Sequence, residues 1–176
     1  MVVTLVACDR TPAAVGVTPA ANEPAAMAEP AVSTDVVVSA ERPTLSLPTI
    51  TGGQFDLADH LGKWVVVNFW ATWCGPCIKE MPELSALHDK RKDVTVVGLA
   101  YEETDADTLL QFLQQRPVSY PVAIADPFSP PADFATPRGL PMTFLIAPDG
   151  RLVEQFMGPV TGESLEQAIV RLGEAG

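Results

Sequence analysis

The stretch that decides the fold runs from residue 69 to residue 82 and reads FWATWCGPCIKEMP. It places Cys74 and Cys77 three positions apart, between an apolar run that ends at Trp70 and a segment with helical periodicity. A cysteine pair at this spacing can bind a metal, form a structural bridge, or react with other thiols and disulfides. These three uses imply different functions for the protein.

The metal site and the structural bridge are the weaker alternatives. A structural zinc ion takes four ligands, and outside this pair the chain offers only Cys8, His60 and His88. A structural disulfide across so short a loop removes little conformational entropy from the unfolded chain. Reactive chemistry therefore explains the spacing better.

The position of Cys74 favours an ionised thiol. Residues 64–70 form a continuous apolar run, typical of a strand buried on both faces, and a helix is predicted over residues 76–91. Unpaired N–H groups and the positive end of the helix dipole would lower the pKa of the Cys74 thiol. Pro76 suits the first helical turn, where its missing N–H has no partner to lose, and Gly75 leaves the approach to the sulfur clear.

Cys77 lies one helical turn further along, so we expect it to be more shielded than Cys74. From there it can attack a mixed disulfide formed on Cys74. That attack releases the reduced partner and leaves a Cys74–Cys77 bridge, which another protein must then reduce.

Short apolar runs alternate with helical patterns from Pro43 to Gly176, which indicates an α/β fold. Thr104 is the predicted N-cap of the second helix. A small hairpin over 44–47 and 53–56 is predicted to precede the first long strand. After the first helix, the predicted elements are strands at 94–100, 121–125, 142–147 and 152–157 and helices at 104–115 and 162–172.

Length and composition fit one globular domain with a tail. The chain has 176 residues, of which 47% are hydrophobic and 19% charged, with a net charge of -11. The 11 Lys and Arg residues form no basic stripe, so nucleic acid is not among the predicted partners.

The N-terminal part of the chain differs from the rest. Residues 9–42 are rich in Ala and Pro without periodicity and are predicted to form a disordered linker. Residues 1–8 end in LVAC, and Leu5 to Cys8 resemble the lipobox of bacterial lipoproteins, in which the cysteine is acylated. The stretch before Leu5 lacks a basic region and a long apolar stretch, so we interpret residues 1–8 as the remnant of a truncated signal.

The resemblance to a lipobox implies lipid attachment at Cys8. Asp9 is similar to the residue that retains lipoproteins at the inner membrane, so a periplasmic protein anchored there is expected. No run of about 18 apolar residues occurs, and no membrane-spanning segment is predicted in the chain as given.

The motif FWATWCGPC, Pro82 five residues after the second cysteine, and Gly139 to Thr143 followed by FLIAPDG resemble the thioredoxin superfamily. The closer resemblance is to its TlpA-like branch of extracytoplasmic thiol:disulfide reductases, and it runs from about Pro43 to Gly176. It implies a thioredoxin-like domain over 43–176, with a central mixed sheet flanked by helices and a short N-terminal β-hairpin extension.

The resemblance also implies roles for residues around the cysteine pair. Pro141 corresponds to a cis-proline that lies beside the pair, and the Leu140 backbone would bind an extended substrate. Trp73, Gly75 and Pro76 are predicted to bind substrate, with Trp73 as an aromatic side chain that lines the groove. The alternative for Trp73 is ordinary packing. Trp70 is predicted to lie in the core.

One departure from the superfamily concerns proton transfer. Thioredoxins of the cytoplasm carry a buried Asp where this chain has Asn68, and Asn cannot take a proton. Glu80, three residues after Cys77, is the candidate acid or base that assists this cysteine. The alternative is an exposed glutamate that suits the first turns of a helix. His60 and His88 are predicted to be surface residues. The acidic run 101–107 is predicted to be a solvated loop and helix start, although members of the family often place specificity contacts nearby.

The predicted function is the reduction of protein disulfides through Cys74 and Cys77, without a metal or a cofactor other than the redox-active disulfide. The implied partners are oxidised client proteins, apocytochrome c being one candidate, and an upstream membrane thiol reductant. Gly75-Pro76 is found in reducing members of the family. Two alternatives stay open: a copper metallochaperone, which typically has CxxxC and a distant His, and a thiol peroxidase, which would have Thr or Ser where this chain has Ala71.

Overall fold

A computed structural model of the chain describes Val2 and residues 41–174. Cys8 and almost all of the predicted linker lie outside the described residues. No helix in the described part of the chain has both the length and the apolar character needed to cross a membrane. The elements are β1 (Ser46–Pro48), β2 (Gln54–Asp56), a short 3-10 helix (Leu57–His60), β3 (Trp64–Trp70), α1 (Gly75–Lys90), β4 (Val94–Ala100), α2 (Ala106–Gln115), β5 (Val122–Ile124), β6 (Met142–Ile146), β7 (Leu152–Met157) and α3 (Gly162–Gly173).

A five-stranded sheet in the order β5-β4-β3-β6-β7 forms the centre of the domain. β3 pairs in parallel with β4 and antiparallel with β6, so the sheet is mixed. Every residue of β3 and β4 is buried, as their continuous apolar runs predict for strands covered on both faces. The α/β prediction, the mixed sheet and the N-terminal hairpin are confirmed.

The two faces of the sheet are covered by different elements. Val66 and Trp70 of β3 pack into a cluster to which all three helices contribute. Val67 and Phe69 point the other way, as alternation along a strand requires, and pack with the hairpin, the 3-10 helix and the loop that contains Phe134. The sheet therefore separates the side chains on the helical face of β3 from those on its other face.

Some predicted boundaries were wrong. α2 begins at Ala106 with Asp105 as its N-cap, because the Asp105 carboxylate accepts a hydrogen bond from Thr108 N at 2.8 Å. Thr104 is therefore not the cap. The 3-10 helix, capped by Asp56, was not predicted, and several strands are shorter than their apolar runs.

The two histidines are half-buried, which corrects their prediction as surface residues. The His88 Nδ1 atom accepts a hydrogen bond from Val96 N at 3.2 Å, and the His60 ring stacks on Phe55 with centroids 4.8 Å apart. Burial lowers the pKa of both imidazoles, so both are mainly neutral at pH 7. Through these contacts, His88 links α1 to β4 and His60 links the 3-10 helix to β2.

Candidate active site

Cys74 and Cys77 are joined by a disulfide bond at the start of α1. Cys74 is the N-cap residue of this helix, and its Sγ accepts a hydrogen bond from Cys77 N at 3.3 Å. The free N–H groups of a helix start and the positive end of its dipole favour a negative charge. Once the bond is reduced, this position favours the thiolate form of Cys74.

The two sulfur-bearing residues differ in accessibility. Cys74 is 5% exposed and Cys77 is 0% exposed, so an external disulfide reaches Cys74 first. Gly75 and Pro76 are exposed beside it, and a Cβ atom added at Gly75 would meet nothing within 4 Å. The expected asymmetry of the pair is confirmed, although the exposed area of Cys74 is small.

Pro141 lies at the same edge of the sheet as the cysteine loop. The Leu140–Pro141 peptide bond is cis, as the resemblance implied. β6 pairs with β3 so that Met142 lies opposite Phe69, which places Pro141 level with the end of β3. The Pro141 carbonyl accepts a hydrogen bond from Gly158 N at 2.9 Å, and this bond fixes the backbone just before β6. The contact of Leu140 with a substrate stays a prediction.

The two tryptophans of the motif have the predicted locations. Trp70 is fully buried, whereas Trp73 is 70% exposed in the loop just before Cys74. An exposed aromatic side chain next to a reactive sulfur can contribute apolar contact area to a bound protein. Its contact with a client stays a prediction.

Glu80 is buried, so the alternative of an exposed glutamate is wrong. Its carboxylate accepts hydrogen bonds from Asn68 Nδ2 and from Val160 N, both at 2.8 Å. Burial raises the pKa of Glu80, and these two hydrogen bonds oppose part of that rise. Residues three apart on a helix share a face, so Glu80 lies on the buried side of α1 with Cys77.

Asn68 and Thr143 are directly opposite each other on β3 and β6, and both are buried. Asn68 Nδ2 donates to Thr143 Oγ1 at 3.0 Å as well as to Glu80. The sequence reasoning did not identify Thr143 or Val160 as partners of Glu80. A polar residue in the apolar β6 run was a signal for Thr143, whereas the Val160 backbone N–H has no side-chain signal.

Tyr120 is a further neighbour of this polar group. Burial raises the pKa of Tyr120, and the negative charge of Glu80 adds to the rise, so the phenol is neutral. The Tyr120 hydroxyl and the Trp70 indole N–H are both buried, with no hydrogen-bond partner among the described residues. Both rings lie against Gly98 of β4.

Glu102 contacts the cysteine loop and was also missed. Its carboxylate accepts hydrogen bonds from Thr72 N at 2.8 Å and from Thr72 Oγ1 at 2.9 Å. The prediction that the acidic run 101–107 is simply solvated is therefore wrong for this residue. Its position just after β4 was a usable signal, because the carboxyl ends of adjacent parallel strands lie together.

The described residues contain no group of three or more His, Cys, Asp and Glu side chains that could hold a metal ion. The chemistry that the site offers is that of the cysteine pair, with a buried carboxyl group on the same face of α1 as the second cysteine.

Comparison with known proteins agrees with this chemistry. The AhpC/TSA family profile matches residues 38–155. The thiol-disulfide oxidoreductase ResA of Bacillus thuringiensis (strain Al Hakam) is 37% identical over 131 residues, which cover 73% of this chain and 75% of that protein.

Solved structures show the same fold. A thiol:disulfide interchange protein of the thioredoxin family from Chlorobium tepidum TLS matches with a TM-score of 0.66 and 27% identity, over 76% of this chain and 95% of that one. A secreted Mycobacterium tuberculosis disulfide oxidoreductase, homologous to E. coli DsbE, matches with a TM-score of 0.62 and 25% identity, over 74% of this chain and 98% of that one. The chain therefore belongs to the thioredoxin-like AhpC/TSA family and is a thiol-disulfide oxidoreductase related to ResA.

Proposed function

We propose that this oxidoreductase reduces disulfide bonds of client proteins outside the cytoplasm. The observation that carries the proposal is the unequal accessibility of the two cysteines at the helix start, of which Cys74 is 5% exposed and Cys77 is 0% exposed. Thiol-disulfide exchange on a client needs this order, because the first sulfur must meet the client and the second must finish the exchange. The Gly75-Pro76 pair supports the reducing direction through the family resemblance.

The reaction begins with the reduced pair. The Cys74 thiolate attacks one sulfur of the client disulfide, a bond forms between Cys74 and the client, and the other client sulfur leaves as a thiolate. Cys77 then loses its proton and attacks the Cys74 sulfur. The Cys74–Cys77 bond forms, the second client thiolate leaves, and two electrons have passed from the enzyme to the client.

Glu80 is the proposed acceptor of the Cys77 proton. It shares the buried face of α1 with Cys77, and its pKa is raised by burial. A base with a raised pKa takes a thiol proton more readily than an ordinary carboxylate does. Asn68 orients the Glu80 carboxylate by donating a hydrogen bond to it. Thr143 helps to hold the Asn68 amide, because its hydroxyl accepts a second hydrogen bond from the same nitrogen.

The resemblances support a proposed location and proposed partners. The related disulfide oxidoreductase from M. tuberculosis is described as secreted, and the lipobox-like stretch supports an anchor at Cys8 on the periplasmic side of the inner membrane. The TlpA-like resemblance supports oxidised proteins, apocytochrome c included, as clients. A membrane thiol reductant would return the Cys74–Cys77 disulfide to the dithiol.

The test uses two single-cysteine variants. Cys77→Ser leaves Cys74 able to form a mixed disulfide that cannot be resolved, so client proteins should accumulate on it in cells. Mass spectrometry of the trapped species, separated without reducing agent, would identify them.

Cys74→Ser is the matched control, because it keeps one thiol at the same site but removes the accessible one. It should trap nothing, and the purified variant should lose insulin-disulfide reduction. Trapping on neither variant, together with unchanged reductase activity of Cys74→Ser, would contradict the proposal.

A further inference from the structure

The loop that joins β3 to α1 is held by the neighbouring strand. Residues 71–74 form a turn closed by a hydrogen bond from Cys74 N to the Ala71 carbonyl at 3.1 Å. Inside this turn, the Thr72 N–H and the Thr72 hydroxyl each donate to a separate oxygen of the Glu102 carboxylate. Both polar groups of one loop residue are thus bound by one side chain.

Glu102 is itself well placed to hold the loop. Tyr101 N donates to the Trp70 carbonyl at 2.8 Å, which extends the β3–β4 pairing by one step before the two chains part. Glu102 and Thr72 are half-buried. Hydrogen bonds to a carboxylate are among the strong ones in proteins, and partial exclusion of water strengthens them further.

Thr72 is followed immediately by the two residues that are proposed to meet a client. Trp73 is exposed, and Cys74 carries the reactive sulfur. Cys74 is fixed at the start of α1, so a turn that is also held at Thr72 has both ends fixed. This limits the backbone dihedral angles of Trp73, which set the direction of its indole relative to the Cys74 sulfur.

We propose that Glu102 is a positioning residue for protein clients, and this proposal rests on the proposed reductase function. Its carboxylate holds the 71–74 turn so that the Trp73 side chain and the Cys74 sulfur meet a client surface together. A small disulfide needs only the sulfur, whereas a protein client also needs the surrounding loop in the right place.

The experiment compares a protein disulfide with a small one. Steady-state rates of reduction of insulin and of bis(2-hydroxyethyl) disulfide would be measured for the wild type, Glu102→Ala, Glu102→Gln and Glu103→Ala. Dithiothreitol would return the Cys74–Cys77 disulfide to the dithiol after each turnover, and its uncatalysed rate would be subtracted. Glu103→Ala is the matched control, because it removes the same charge from the next, exposed position.

Glu102→Ala should lower kcat/KM for insulin about tenfold, because misplaced positioning contacts cost rate and only the protein substrate makes contacts with the loop. The kcat/KM for the small disulfide should change less than about twofold. Glu102→Gln should keep most of the insulin activity, because its amide can accept from Thr72 N and donate to Thr72 Oγ1. Glu103→Ala should match the wild type. An equal loss for both substrates in Glu102→Ala, or an effect no larger than that of Glu103→Ala, would overturn the proposal.

A second measurement does not depend on turnover. Amide hydrogen exchange at Thr72 should be faster in Glu102→Ala than in the wild type and unchanged in Glu103→Ala. Equal exchange in the wild type and Glu102→Ala would overturn the proposed hold. A wild type that reduces neither disulfide would instead count against the proposed function, so the two failures are distinguishable.

Discussion

The buried carboxyl of Glu80 has a consequence for stability that can be measured at a single residue. Burial raises the pKa of Glu80 in the folded protein above its value in the unfolded chain. A raised folded-state pKa stabilises the fold fully at pH values below the unfolded pKa, and this contribution is lost as the pH rises through the folded-state value.

We therefore expect the unfolding free energy of Glu80→Gln, relative to that of the wild type, to increase as the pH rises from about 4 towards 8. Gln does not titrate, and its amide oxygen can still accept from Val160 N while Asn68 turns to accept from its NH2 group. The difference in unfolding free energy between the two proteins should therefore vary with pH in this direction. Thermal melts at several pH values would measure it.

The same variant tests the catalytic proposal. Glu80→Gln should slow insulin reduction at pH 7 by about 100-fold, the size typical for loss of a general base. Glu103→Gln is the control, because it makes the same change at an exposed carboxylate. A stability difference between Glu80→Gln and the wild type that does not vary with pH would argue against the raised pKa, and unchanged turnover would argue against the proton transfer.

At the scale of one element, β4 needs a residue without a side chain at position 98. A Cβ atom on Gly98 would lie 3.0 Å from the Trp70 Nε1 atom and 3.0 Å from a ring carbon of Tyr120. Both rings are buried, so neither can move away into solvent. The close approach of these rings to the strand is therefore possible only with glycine.

Gly98→Ala should lower the unfolding free energy by about 1–3 kcal/mol, the usual range for overpacking a core. Gly75→Ala is the matched control, because the same added methyl group would meet nothing within 4 Å. It should leave stability within about 0.5 kcal/mol of the wild type or raise it slightly, since Ala is favoured over Gly in a helix. Urea denaturation of both variants would decide, and equal stabilities would contradict the packing argument.

At the scale of the whole molecule, the proposed anchor at Cys8 would hold the domain near the membrane through the Ala- and Pro-rich linker. Two features of the chain support this: the lipobox-like stretch and a linker composition suited to a spacer. A reductase held at the membrane would remain close to a membrane reductant and to clients that emerge there.

Cys8→Ser should move the protein from the membrane fraction to the soluble fraction of cells that export the full chain, because the acyl groups supply the membrane affinity. Incorporation of labelled palmitate should also disappear. Cys74→Ser provides the comparison, since it removes a different cysteine and should remain in the membrane fraction. A Cys8→Ser protein that stays membrane-bound would exclude this anchor.

The sequence alone was enough to predict the order of the elements and the reactive cysteine pair. Local patterns specify both: β3 and β4 are continuous apolar runs, and the helix start at Cys74 is marked by the CGPC motif within a few residues. Interactions between near neighbours determine these features, so reasoning along the chain can find them. The boundaries were less certain, as Asp105 shows, because neighbouring residues can compete for one cap.

The tertiary structure decided the surroundings of the pair. Glu80 is bound by Asn68, 12 positions away, and by Val160, 80 positions away, while Glu102 holds Thr72 across 30 positions. Such contacts depend on strand register and on which side of the sheet a residue faces, and no local pattern encodes them. The physical reason is that burial and hydrogen bonding of a polar group are properties of the packed sheet and helices together, so the protonation and orientation of the groups beside the cysteines follow only from the folded chain.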